Sequence, residues 1–282
     1  MKVTNTNNHT LLIMSPDMQG LIFKVSQILF ESKLNIEKND EFVDKEQNIF
    51  FMRTEVSGNL NAPEILKKLQ TTLPTQAQIN IIPQTKKTII IFCTKENHCL
   101  GDLLLRYESG ELNVNIAAVI SNYEVLGDLV KKFNINFIHI SHENLSRKEH
   151  EEKILKACET YNADYLVLAK YMRILSPSFV EKYQQKIINI HHSFLPAFIG
   201  ANPYKQAYQR GVKLIGATAH FVNDNLDEGP IIAQDIISID HSYTWKDMQK
   251  AGRNIEKIVF AKAIDLALQD RIFVYGNKTV VF

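Results

Sequence analysis

Gln84-Thr85-Lys86-Lys87-Thr88-Ile89-Ile90-Ile91-Phe92-Cys93 is where the chain changes pattern. Four polar residues close one regime, and an unbroken apolar run opens another. Upstream, Leu11-Leu12-Ile13-Met14 reads as a strand closed by Ser15-Pro16-Asp17. In the helix that follows, Leu21, Val25, Ile28 and Leu29 share one face. Residues 35–43 and 49–56 read as strands across the polar turn Asp44-Lys45-Glu46-Gln47. Pro63 sits in the first turn of a second helix, where a missing N–H costs nothing, and Leu66, Leu69 and Leu73 follow it. Residues 79–82 supply a last strand, so the order is βαββαβ, a ferredoxin-like split unit.

Downstream, the runs at 88–93, 115–121, 137–141, 165–169 and 187–190 are apolar without alternation. A strand apolar on both sides is covered on both faces, which indicates a parallel sheet between helix layers. Helical stretches are expected at 99–109, 123–133, 149–161 and 177–183. Further strands are expected at 214–222 and 230–237, and a long helix at 245–268. The predicted fold is therefore α/β. A ferredoxin-like domain occupies residues 1–85, and a larger domain with a Rossmann-like, mostly parallel sheet occupies 86–282.

The 282 residues carry 32 Lys+Arg against 31 Asp+Glu, a formal net charge of +1. Residues 1–85 alone hold 8 basic and 9 acidic residues, so neither half has the basic surface that displaces counterions from a nucleic acid. No stretch approaches the roughly 20 apolar residues of a membrane span. The opening Met1-Lys2-Val3-Thr4-Asn5 lacks the apolar core of a signal peptide, and a cytoplasmic protein is expected. Cys93, Cys99 and Cys158 make no Cys-x-x-Cys pair, so neither a disulfide framework nor a cysteine zinc site is expected.

Two clusters carry chemistry. Asn189 and His191 alternate on a strand, at the carboxyl end where open α/β sheets put ligands. Both side chains can donate to an oxyanion, although such residues also end strands merely to satisfy turn backbone. His192, next along the strand, is expected on the opposite face. The segment Asn223-Asp224-Asn225-Leu226-Asp227-Glu228-Gly229-Pro230 offers carboxylates for general-base work, and equally the composition of a plain turn. It lacks EF-hand spacing, and no metal is expected. No Gly-x-Gly-x-x-Gly follows the strand at 88–93, which argues against a dinucleotide-binding dehydrogenase.

Asn189-Ile190-His191 with Ser193-Phe194-Leu195-Pro196, then Ala219-His220-Phe221-Val222, then Leu226-Asp227-Glu228-Gly229-Pro230-Ile231-Ile232, together resemble the formyltransferase fold that uses 10-formyltetrahydrofolate. Tyr171-Met172-Arg173-Ile174-Leu175-Ser176 matches that fold's folate-pocket loop. The resemblance spans about residues 88–282. The resemblance implies a catalytic triad of Asn189, His191 and Asp227. The folate pocket it implies is lined by Tyr171, Met172, Arg173, Ile174 and Leu175. Arg173 suits either a folate contact or a solvated rim. His220 suits either orientation of Asp227 or a structural role in its strand.

Lys95-Glu96-Asn97-His98-Cys99-Leu100-Gly101 has one late glycine and an acidic residue, unlike the glycine-rich loops that cradle phosphate. That loop, the doubled His191-His192 and Gly200-Ala201-Asn202-Pro203 resemble the formyltetrahydrofolate deformylase family. The activity so implied is hydrolysis of 10-formyltetrahydrofolate to formate and tetrahydrofolate, which balances one-carbon pools and supplies formate for purine synthesis. Folate is then the substrate, and no separate cofactor is expected.

Ser15-Pro16-Asp17-Met18-Gln19-Gly20 resembles the strand-to-helix turn of an ACT domain. The resemblance implies an amino-acid effector held at Asp17 and Gly20, and a homo-oligomer, dimer or tetramer. Asp17 suits a helix cap as well.

Overall fold

The structure is a computed structural model and describes residues 8–197 and 202–282. Gly200 and Ala201 of the motif quoted above lie outside the described residues. Two compact units emerge.

The first unit contains β1 (His9–Pro16), α1 (Leu21–Glu31), β2 (Asn35–Asp44), β3 (Ile49–Ser57), α2 (Ala62–Thr72) and β4 (Gln78–Pro83). Its sheet is antiparallel in the order β2-β3-β1-β4. Alternation along β1 and β3 sends Leu11, Ile13, Phe50, Met52 and Val56 into a core with Leu21, Val25, Leu29 and Leu69 from the helices. The other face of the same strands is buried as well, since Leu12, Phe51 and Arg53 are all below a tenth exposed. Residues 270–273 and 280–282, far along the chain, cluster with this unit and account for that burial. Phe273 meets Phe51 edge-on with ring centroids 5.5 Å apart, and Arg53 Nε donates to the carbonyl of Asp270 at 3.0 Å.

The second unit runs β5 (Thr88–Cys93), α3 (His98–Glu108), β6 (Asn115–Ser121), α4 (Gly127–Lys131), β7 (Phe137–His139), α5 (Arg147–Glu159) and β8 (Tyr165–Ala169). It continues with α6 (Pro177–Lys182), β9 (Ile187–His191), α7 (Pro203–Arg210), β10 (Leu214–Phe221), β11 (Ile231–Ser238) and α8 (Trp245–Leu268). A ribbon of β12 (Ile272–Tyr275) and β13 (Lys278–Val281) follows. The seven strands lie in the order β11-β10-β9-β8-β5-β6-β7. Strands β5 to β9 are parallel, and β10 and β11 are antiparallel additions. Ile89 to Phe92 are fully buried, as unalternating apolar strands require.

The helix expected at 123–133 shrinks to Gly127–Lys131, because residues 122–126 form the turn leaving β6. There the Tyr123 N–H donates to Ser121 Oγ at 3.1 Å, and its ring packs against His142. Helix α7 and the β12–β13 ribbon were not expected. Tyr204 and Ala207 alone bury the interior of α7 beyond its Pro203, too sparse a stripe to signal a helix. Among the described residues no helix is long and apolar enough to cross a membrane.

Strand order reverses between β5 and β8: later strands run to one side of β5 and later still to the other. In open α/β sheets ligands bind outside the carboxyl ends of strands at such a switch point.

Candidate active site

A cavity of about 500 Å³ opens at this point. Asn189, His191, His220 and Asp227 line one part of it, and Tyr171 to Leu175 another. Antiparallel pairing of β9 with β10 sets His220 directly opposite Asn189. Paired residues in such a ladder project to the same face, and Asn189 Nδ2 lies 3.2 Å from His220 Nε2. His220 Nδ1 is 2.9 Å from the carbonyl of Phe221, which can only accept, so Nδ1 carries the hydrogen and Nε2 accepts from Asn189. Burial lowers the pKa of His220 further and keeps it neutral. The sequence left His220 either to orient Asp227 or to serve its strand structurally. The structure gives its hydrogen bond to Asn189 and leaves Asp227 Oδ1 at 3.8 Å.

Asp227 approaches from the loop between β10 and β11. Its backbone is left-handed, with φ 57°. That conformation is uncommon for a residue with a side chain, and it aims the carboxylate back at the sheet. Oδ2 stands 3.2 Å from His191 Nδ1. Burial alone would raise this carboxyl. The hydrogen bond and charge of His191, joined by His220 and His192, outweigh it and hold Asp227 below the ordinary carboxylate range. Gly229 lets the loop lie this close. A Cβ there would fall 1.7 Å from the carbonyl oxygen of Phe221 and 3.3 Å from His220 Nδ1.

With Nδ1 turned to Asp227, His191 Nε2 is buried and has no hydrogen-bond partner among the described residues. Asn189 Nδ2 retains a second N–H beyond the one given to His220. Two polar groups thus stay available on the cavity wall, and an unsatisfied buried polar atom costs stability unless a ligand meets it.

The folate-type loop divides by side chain. Tyr171 is buried and packs edge-on against Phe92, so its ring is part of the core beside the cavity. Met172 and Ile174 are exposed at 60% and 59% and give the cavity an apolar lining. Arg173 is half-buried on the same wall. Thr94 Oγ1 accepts from the Met172 N–H at 2.9 Å and ties the loop to the end of β5.

The Ser193–Pro196 stretch holds the turn after β9. Thr218 Oγ1 donates to the Ser193 carbonyl at 2.9 Å and accepts from the Leu195 N–H at 3.0 Å. His192 was expected on the opposite face from His191. It lies just past the end of β9, where alternation no longer applies, and it lines the same cavity with its ring 5.2 Å from that of His191. Burial and the charge of Lys170 push its pKa down to about 4. Sequence reading missed Lys170, Tyr204, Arg253 and Glu256 on the cavity wall. They come from three separate segments, Lys170 just past β8, Tyr204 on α7, and Arg253 with Glu256 on α8, and no spacing along the chain joins the three.

In the first unit, Gly20 is the N-cap of α1, with φ 85° and no side-chain cap. Asp17 therefore does not cap that helix through its side chain. Its N–H donates to the carbonyl of Asn48 at 2.8 Å.

Residues 87–264 match the family described as formyl transferase. A formyltetrahydrofolate deformylase of Haemophilus influenzae is 54% identical over 271 residues, 96% of this chain and 98% of that protein. The crystal structure of a formyltetrahydrofolate deformylase from Pseudomonas syringae superposes with a TM-score of 0.94 at 37% identity, covering 100% of this chain and 96% of that one. A glycinamide ribonucleotide transformylase from Symbiobacterium toebii covers 70% of this chain and 94% of its own, with a TM-score of 0.67 at 27% identity. The transformylase likeness stops short of the full chain, whereas the two deformylase matches run across both units. The chain belongs to the formyltetrahydrofolate deformylase family: a formyl transferase domain joined to an N-terminal ACT-like sheet.

Proposed function

We propose that this chain hydrolyses 10-formyltetrahydrofolate to formate and tetrahydrofolate, and that Asn189, His191 and Asp227 carry the reaction. One observation supports this above the rest. A buried His191–Asp227 pair and an Asn189 fixed by His220 leave their remaining polar atoms on a cavity large enough for a folate head.

The pterin lies against Met172 and Ile174 and hydrogen-bonds the backbone of residues 171–175. Asp227, ionised at neutral pH, orients a water beside the formyl carbon. As water attacks, its proton passes to the Asp227–His191 pair and negative charge grows on the formyl oxygen. The free N–H of Asn189 and the Nε2 side of His191 meet that oxygen. Stabilisation of this kind is worth more in a dry site than in water. When the C–N bond breaks, N10 takes its electron pair and one proton from the pair. One water is consumed: one of its protons ends on N10, the other is released as formic acid ionises, and the products are tetrahydrofolate, formate and a proton.

Asp227→Asn keeps the shape and removes the base. Formate release from 10-formyltetrahydrofolate is expected to fall by about 10²–10³-fold, with folate binding retained. Wild-type turnover in this variant would sink the assignment.

The N-terminal unit acts as a sensor of a small amino acid in this reading. Asp17 and Gly20 flank the start of α1, whose first backbone N–H groups carry no side-chain cap and suit a ligand carboxylate. A homo-oligomer is supported by Phe23 and Phe30, exposed at 69% and 81% on α1.

A further inference from the structure

The active-site cavity has a second wall whose ionisable groups the hydrolysis leaves unused. Glu256 of α8, 1% exposed, stands at its centre. Tyr204 donates its hydroxyl to Oε1 at 2.7 Å. His98 Nε2 lies 2.7 Å from Oε2, and Lys170 Nζ lies 3.3 Å from the same oxygen. Burial alone would raise this carboxyl, but His98, Lys170 and Tyr204 bring it down to about 2, so Glu256 is an anion. Gly252 of α8 makes the room, since a Cβ there would fall 2.0 Å from the Tyr204 hydroxyl.

Farther out, Glu96 Oε2 lies 3.5 Å from His98 Nδ1 and 3.4 Å from Arg253 Nη2. Both nitrogens of His98 therefore face carboxylates, and Lys170 and Arg253 each face one as well. Lys205 turns its ammonium over the Trp245 ring, 5.8 Å from the centroid. His98, Cys99 and Glu256 bring ligand-type atoms within 4.8 Å of one another. However, burial and the Glu256 charge push the Cys99 thiol far up, and Lys170 already sets a cation on the carboxylate. This is a charge network in which the protein satisfies itself.

We propose that this wall selects the acceptor: His98 and Tyr204 occupy the oxygens of Glu256, and Glu96 and Glu256 supply negative charge, so water reaches the formyl carbon while a phosphate-bearing amine finds no seat. The inference deepens the hydrolytic reading above and rests on it. A phosphate needs free N–H donors and uncompensated cations. The crevice where β5 runs into α3 is the natural place for both in this type of sheet. Here α3 opens with His98, 11% exposed and turned to Glu256, and Glu96, two residues earlier, lines the cavity. The fold itself does not forbid such an acceptor, because the similar Symbiobacterium protein is named for a ribonucleotide. The side chains make the difference.

The test is a calorimetric titration of ribose 5-phosphate into the full chain in phosphate-free buffer. Wild type, Glu96→Gln and the double variant His98→Ala/Glu96→Gln are compared. The wild type is expected to bind more weakly than about 10 mM, and the double variant at least about tenfold more tightly, with the single variant between them. Equal affinity in wild type and double variant, at any strength, overturns the proposal. If the double variant does not fold, as judged by its thermal melt, Glu96→Gln decides, since that side chain is 36% exposed and the change keeps its size. No gain in that variant overturns the proposal too. Binding is read without turnover, so failure of the hydrolytic reading would show separately, as absence of formate release by the wild type.

Discussion

His192 and Asp227 are neighbours in the cavity whose protonation responds to burial in opposite ways. In the unfolded chain a histidine takes a proton near 6.5, whereas folded His192 does so only at about 4. Between those values the unfolded chain binds the extra proton, so stability falls as pH falls. Buried His220 and His150, also lowered, act with the same sign. Asp227 behaves differently: its lowered pKa contributes stability above about pH 3.8 that is lost as pH falls through the folded value. Replacing His192 by Gln is therefore expected to flatten the dependence of Tm on pH between about 6.5 and 4, leaving the loss below that range in place. Thermal melts at half-unit pH steps check it, and an unchanged slope would count against a buried neutral His192. The acid limb of hydrolysis is not expected to follow Asp227 at mildly acidic pH, because that carboxylate stays ionised there.

The β10–β11 loop does at the level of an element what no single side chain could. Its carboxylate works only if the loop crosses close over Phe221, and Gly229 alone permits that approach. Gly229→Ala is expected to lift the loop and cut formate release by about 10²-fold, since small misplacements of a catalytic group cost on that scale. Far-UV circular dichroism should stay near wild type, because the strands on either side remain. Retained activity would mean that the loop relaxes without moving Asp227. A second device is Thr218, fully buried and opposite His191, which holds both ends of the Ser193–Leu195 turn. Thr218→Val leaves the Leu195 N–H and the Ser193 carbonyl short of a partner. Urea unfolding is expected to report a loss of about 1–3 kcal/mol.

At the scale of the whole molecule, the sensor reading predicts coupling between effector and turnover. Saturating glycine or methionine is expected to change formate release by about fivefold or more, in a direction the assay reads, and Gly20→Val should abolish the response. A rate indifferent to a panel of small amino acids would remove the sensor role. Much of this organisation was legible in the residues alone. The polar stop at 84–87, the alternation before it and the unbroken apolar strands after it dictate an antiparallel split unit followed by a parallel sheet, because burial on one face or two leaves a period in the sequence. The strand pair Asn189 and His191 was legible for the same reason, and Asp227 through the motif around it. Other features have no period to read. The partnership of His220 with Asn189 depends on cross-strand register, and His192 shares the cavity because β9 ends one residue earlier. Residues 270–273 cluster with the first unit because Phe273 finds Phe51 across more than two hundred residues of chain. The Glu256 network draws its members from α3, α7, α8 and the residue just past β8. Local sequence thus determined the elements, through propensity and periodic burial. Tertiary packing alone decided which buried charges face one another, since that depends on distances between segments that no spacing along the chain encodes.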